Sequence, residues 1–278
     1  MRDLAIDALR RRGANVRPGP DDAPGDDHLI DQAGNVYWLH NLQIQCSQLP
    51  HDDVASAVEF SFSQRFAARE APNVCELSDA ELYGQVRTRL QPPNTTGLLS
   101  TSYARPAFDG LVAELSRDLP TAVQTVGDSD VVGRDLDFLY EVGQRNTDAE
   151  PATTQQLNHH VVALHGESFF IASKALNMTR LIASVLGDAP LGVVFSVPHR
   201  SLLFLHRVGP ETVHALNWMA SATVGQTEQP PGGVVSRNTY FWHLGNVQLL
   251  SRIDSESRKI QIVVEGMFED TLGQAMSW

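Results

Sequence analysis

Apolar positions fall into continuous runs and helically spaced sets, and the clearest run is GVVFSVPHRSLLFLHRV at residues 192–208. Two apolar stretches flank the polar tip Pro198-His199-Arg200-Ser201, which predicts two buried strands joined by a short hairpin. Further strand-like runs cover 29–30 and 36–39 around Gly34-Asn35, 82–90 ahead of Pro92-Pro93, 111–115, 122–126, 240–243, 247–253 and 259–264. Residues 160–164 and 168–172, around His165-Gly166-Glu167, predict another tight hairpin.

Helical spacing marks the other stretches. Leu4, Ala5, Ala8 and Leu9 share one face over 3–12, ended by Gly13. Val54, Val58, Phe62 and Phe66 recur at every fourth position over 54–69, behind a cap at Asp52 or Asp53. Helices are also expected over 135–144, over 174–186 closed by Gly187, over 211–223 after Gly209-Pro210, and over 267–276. Stretches 18–27, 147–154 and 226–233, rich in Pro, Gly, Asp and Thr, read as loops. The pattern predicts an α+β fold of mainly antiparallel sheet hairpins interspersed with amphipathic helices. A polar break after Pro93 separates an N-terminal unit (1–93) from a C-terminal unit (103–278), with one continuous domain as the alternative.

Composition narrows the setting. A net charge of -12, from 33 acidic and 21 basic residues, repels nucleic-acid backbones and anionic membrane surfaces, so neither is an expected partner. The basic run Arg10-Arg11-Arg12 sits where positive charge complements a helix C-terminus. Cys46 and Cys75 are too few for a disulfide framework and suit a reducing cytoplasm. The first residues lack the apolar core of a signal peptide, and no run approaches the ~20 apolar residues of a membrane span. A cytoplasmic location is therefore expected, where the Asn94 and Asn177 glycosylation patterns carry no meaning.

Candidate chemistry is sparse. Histidines concentrate at His159-His160 and His165 near Glu167, but no HExxH and no helical i, i+4 pair with an intervening glutamate is present. On a strand His159 and His160 would point to opposite faces. Gly166-Glu167-Ser168-Phe169-Phe170 begins like a nucleophile elbow, yet Phe170 replaces the second glycine. Cys46 with His40 lacks a third group. Phosphate-binding glycine loops are missing, so no cofactor is expected. Asp128/Asp130 and Asp135/Asp137 read as helix-entry charges.

What remains is the hairpin tip. Pro198 presets one backbone angle and is expected to hold His199 and Arg200 outward. With Arg105 they form the candidate binding face of a non-enzymatic binding or accessory protein that contacts a protein or peptide. The alternative is a hydrolase or metal-dependent enzyme using His165, Glu167 and His199, gathered if the two hairpins meet at their tips.

The strings GESFFIAS, PLGVVFSVPHRSLLFLHRV and GVVSRNTYFWHLGNVQLLSRI resemble the YtpQ-like family of uncharacterised bacterial proteins, which shows a similar VPxR hairpin after a strand and a helix. VYWLHNLQ and DLDFLYEVGQRN resemble two further segments of that family. The chain departs at Arg145-Asn146-Thr147, where the family has Asn-Leu, and in the loop at 226–233. The family has no established activity, so the resemblance implies an architecture and a cytoplasmic setting without a mechanism.

Overall fold

The computed structural model describes residues 1–19, 27–47, 49–93, 99–120, 122–228, 230, 233–253 and 259–276. Most of the expected loop at 18–27 and the polar stretch 94–97 lie outside the described residues, as do parts of 226–233 and the His40 side chain. The fold is α+β, and the chain divides into two compact units, Met1–Asn73 with Leu119–Ala122, and Val74–Asp118 with Val123–Trp278. The break expected between residues 93 and 103 falls inside the second unit.

In the first unit, α1 (Arg2–Arg11) precedes an antiparallel sheet of β1 (Val16–Pro18), β2 (His28–Asp31) and β3 (Val36–Trp38), followed by α2 (His40–Ser47) and α3 (His51–Glu70). The Asp31 carboxylate accepts the N–H groups of Ala33 and Asn35, and Gly34 takes φ +83, which closes the expected hairpin. Helix α3 starts after Pro50 without a side-chain cap; Asp52 and Asp53 lie in its first turn, where their charge meets the helix dipole instead. Arg11 and Arg12 both pair with Glu59 of α3, so the basic run links two helices rather than only closing its own.

The remaining elements, in chain order, are α4 (Asp79–Gln85), β4 (Val86–Gln91), β5 (Arg105–Pro106), β6 (Val112–Leu119), β7 (Ala122–Thr125), α5 (Asp128–Val131), α6 (Leu136–Ala149), β8 (Thr153–Gln156), β9 (Val161–His165), α7 (Met178–Val185), β10 (Val193–His199), β11 (Leu202–Arg207), α8 (Thr212–Gln226), β12 (Thr239–His243), β13 (Asn246–Leu249), β14 (Ser251–Ile253), β15 (Ile260–Ile262) and α9 (Gly266–Met276). Three expectations change. Residues 82–85 are helical because Ser78 and Glu81 form a capping box that starts α4, and the strand begins only at Val86. Helix α6 extends into the expected loop as far as Ala149, and within that extension buried Thr147 receives the Thr88 N–H and donates to its carbonyl. Gly143 permits that approach, since a Cβ there would lie 3.2 Å from the β4 backbone. Residues 168–172 form no strand; β9 pairs with β8 and β11, and the chain turns into a 3-10 segment, Ala172–Asn177.

The organising sheet has the order β13-β12-β10-β11-β9-β8 and is antiparallel throughout. Every residue of β10 is buried because both sheet faces are covered. Val193, Phe195 and Val197 pack with Leu181 and Ile182 of α7, while Val194 and Phe204 pack with Leu216 and Met219 of α8 and Phe268 of α9. Gly192 must be glycine: at φ +86, a Cβ would stand 2.4 Å from the Trp242 carbonyl oxygen.

Candidate functional site

The hairpin tip is tighter than the sequence predicts. His199 pairs with Leu202, so only Arg200 and Ser201 lie between the strands. The register shifts by one residue between Ser196 and His199, a bulge at Pro198, which has no N–H for the ladder. That extra residue moves His199 from the face of Phe195 and Val197 to the face of Leu202. The expected outward histidine is therefore buried: its Nδ1 accepts the Ser201 N–H, and Gln226 at the end of α8 bonds its ring. Burial lowers its pKa, the Gln226 bond opposes the shift, and the charge of Arg200 adds to it.

Arg200 takes a different course. Its guanidinium lies 3.7 Å from the centre of the Phe169 ring. Its carbonyl accepts the Ala172 N–H, and the hydroxyl of the next residue, Ser173, accepts the Leu90 N–H. Through these bonds the start of the 3-10 segment ties the backbone of Arg200 and that of Leu90, the residue after Arg89. Neither arginine makes a side-chain hydrogen bond or an ion pair with a described residue. Arg200 Nε is sealed from solvent without a partner, and Arg89 and Arg200 as whole residues are half-buried. Burial pushes the Arg200 pKa down to about 10, and the charge of Arg89 contributes in the same direction. Burial also lowers the Arg89 pKa, opposed by Glu114, its cross-strand neighbour. Glu114 is 1% exposed and its two oxygens already accept from Thr101, at 2.9 Å, and from Gln91. Burial pushes its pKa up, and these two bonds and the Arg89 charge oppose that.

The other residues named from sequence stand apart. Arg105 lies over the Tyr140 ring at 3.9 Å and pairs with Asp137, and no hydrogen bond, ion pair or ring contact joins it to His199 or Arg200. His165 and His199 share a row across the sheet with Leu202 between them, which places their Cα atoms about 10 Å apart at two strand spacings. Glu167 is exposed beyond the end of β9. The three do not gather into one site, and among the described residues no group of three His, Cys, Asp or Glu side chains is arranged to hold a metal.

At the far end of the same sheet lies a cavity of about 660 Å³, walled by Val162, Val185, Leu186 and Leu191 with His160 and His206. His159 and His160 are not on a strand as expected; both adopt left-handed backbone, φ +53 and +56. His206, 1% exposed, fixes this corner: Nδ1 donates to the His160 carbonyl at 3.3 Å. Its Nε2 lies 3.1 Å from the Thr212 hydroxyl, and that hydroxyl accepts the Gly209 N–H. The carbonyl can only accept, so Nδ1 carries a proton. Burial, which lowers the His206 pKa, favours the neutral ring with that single proton.

Sequence reasoning named Arg200 and missed Arg89, Phe169, Glu114 and His206. The alternation in VRTRLQ places Arg89 and Arg87 on one face of a strand, a signal that was available. Nothing in the sequence linked position 89 to position 200. No helix among the described residues is long and apolar enough to cross a membrane. No family model, curated protein or solved structure matches the chain.

Proposed function

We propose that this is a cytoplasmic, non-catalytic binding or accessory protein that holds a protein or peptide partner at the hairpin end of its six-stranded sheet. The observation supporting this reading is Arg200: a half-buried guanidinium stacked on Phe169 at a hairpin tip, with no hydrogen-bond or ion-pair partner among the described side chains. Tight turns on a packed sheet present such groups at little further ordering cost, because the scaffold already fixes the side chain. Arg105, already paired with Asp137, and buried His199 are supporting residues rather than contacts in this reading. The alternative enzyme built on His165, Glu167 and His199 has no observation in its favour.

The reading is tested by fluorescence anisotropy with labelled acidic, neutral and basic peptides, comparing the unmodified protein with Arg200→Ala and with Arg207→Ala. Arg207 is a control, paired with Asp188 at 2.9 Å and distant from the tip along β11. Acidic peptides should bind, and Arg200→Ala alone should weaken them. Binding that is indifferent to Arg200 would remove the site.

A further inference from the structure

We propose that Arg89 and Arg200 together form a binding site for an oxyanion, a carboxylate or phosphate group. The proposal rests on the binding reading above and names the chemistry that the partner presents.

The first argument is charge. Arg89 and Arg200 bring two positive charges to one half-buried place, and the nearby carboxylate, Glu114, is engaged by Thr101 and Gln91 without an ion pair to either arginine. A buried guanidinium without a counter-ion is costly, and proteins ordinarily pair it. This chain has 33 acidic residues and a net charge of -12, so carboxylates are abundant, yet none is paired here among the described residues. Elsewhere in the same unit the pairing is routine: Arg87 meets Glu150 at 2.7 Å, Arg134 meets Asp79, and Arg105 meets Asp137.

The second argument is geometry. Phe169 covers one face of the Arg200 guanidinium, so any ligand must approach its edge, where planar N–H groups engage an oxyanion in pairs. The hydrogen bonds from Ala172 to Arg200 and from Leu90 to Ser173 tie both strands to one 3-10 segment, and from there the Arg89 charge acts on the Arg200 guanidinium. Arg200 Nε is sealed without a partner, while both arginines keep part of their surface in solvent. An anion there would neutralise the mutual repulsion of the two arginines without displacing any existing side-chain bond.

Thermal melting at constant ionic strength, with sodium phosphate or acetate replacing chloride, tests the site without knowledge of the partner. Phosphate should raise the Tm saturably above the chloride reference. The rise should disappear in Arg89→Met and Arg200→Met and persist in Arg207→Met. Arg200→Lys, which keeps the charge but loses the planar fork, should weaken phosphate by about 10- to 100-fold, as loss of one hydrogen bond to a charged group does. Because a variant that fails to fold is uninformative, phenylglyoxal labelling of the unmodified protein is read in parallel by mass spectrometry, and phosphate should protect Arg89 and Arg200 but not Arg207. Anions no better than chloride, or protection no greater at these two residues, would overturn the site. Titration with a serine peptide and its glutamate and phosphoserine versions separates the two readings. If free anions bind and no peptide does, the peptide reading falls and the anion site stands. If a peptide binds equally to all variants, the anion site falls and the peptide reading stands.

Discussion

The two ends of the six-stranded sheet handle polar groups in opposite ways. At the hairpin end the backbone around Arg200 is unstrained, with no residue from 198 to 202 at positive φ, while the Arg89 and Arg200 guanidinium groups form no ion pair with a described residue. At the cavity end the buried polar atoms are matched through His206 and Thr212, while His159 and His160 carry the strain in their backbone. One end stores its unfavourable energy in unsatisfied charge, which a ligand can relieve. The other stores it in backbone geometry, which no small anion relieves.

The sharpest way to break this contrast is His206→Ala. It removes a fully buried ring, leaves the His160 carbonyl and Thr212 without their partner, and should cost about 3 kcal/mol by urea denaturation. A loss well below 1 kcal/mol would mean that the corner is not held by this residue. The phosphate response of the hairpin end should survive in the folded fraction.

Acidification comes next. His199 and His206 both have pKa values lowered from the ordinary 6.5, chiefly by burial. Each binds fewer protons folded than unfolded as pH falls below 6.5, so stability is fully present above that value and declines toward the folded pKa. Each unit of pKa difference corresponds to about 1.4 kcal/mol at the acid limit. The Tm should therefore drop between pH 7 and pH 5, and His206→Gln should flatten that slope. A flat profile in the unmodified protein would contradict the neutral, buried assignment.

Arg89→Met should change the stability of the anion-free protein by no more than about 1 kcal/mol, because it removes both the charge that repels Arg200 and the charge that faces buried Glu114. A loss well beyond that would indicate that Arg89 serves the fold instead. The smallest effect belongs to the strained corner: His160→Gly relieves a left-handed backbone and should stabilise by up to about 1 kcal/mol, less the extra chain entropy of glycine. If the same substitution altered anion binding, the two ends would be coupled and the contrast between them would fail.

The sheet was legible in the sequence because burial on both faces leaves a continuous apolar run, as in residues 193–197, and short turn signals punctuate the strands. Local competition escaped notice. Ser78 and Glu81 convert an apparent strand into the start of a helix, and the bulge at Pro198 reverses the face of His199. A period-two reading assumes unbroken register, so a single extra residue was enough to turn an expected surface histidine into a buried one. Arg200 was found because it lies at a tip. Its significance depends on Arg89, more than a hundred residues earlier, and on the absence of a paired carboxylate among the described residues, neither of which a local pattern can show.

The central claim concerns the Arg200 guanidinium itself, and its Nε–H is the direct reporter. In an NMR titration with inorganic phosphate at fixed ionic strength and pH, the Arg200 Nε–Hε cross-peak should move saturably, with Arg89 following the same isotherm and Arg207 unmoved. Cross-peaks of Arg89 and Arg200 that stay in place, or that drift no more than that of Arg207, would contradict the oxyanion site.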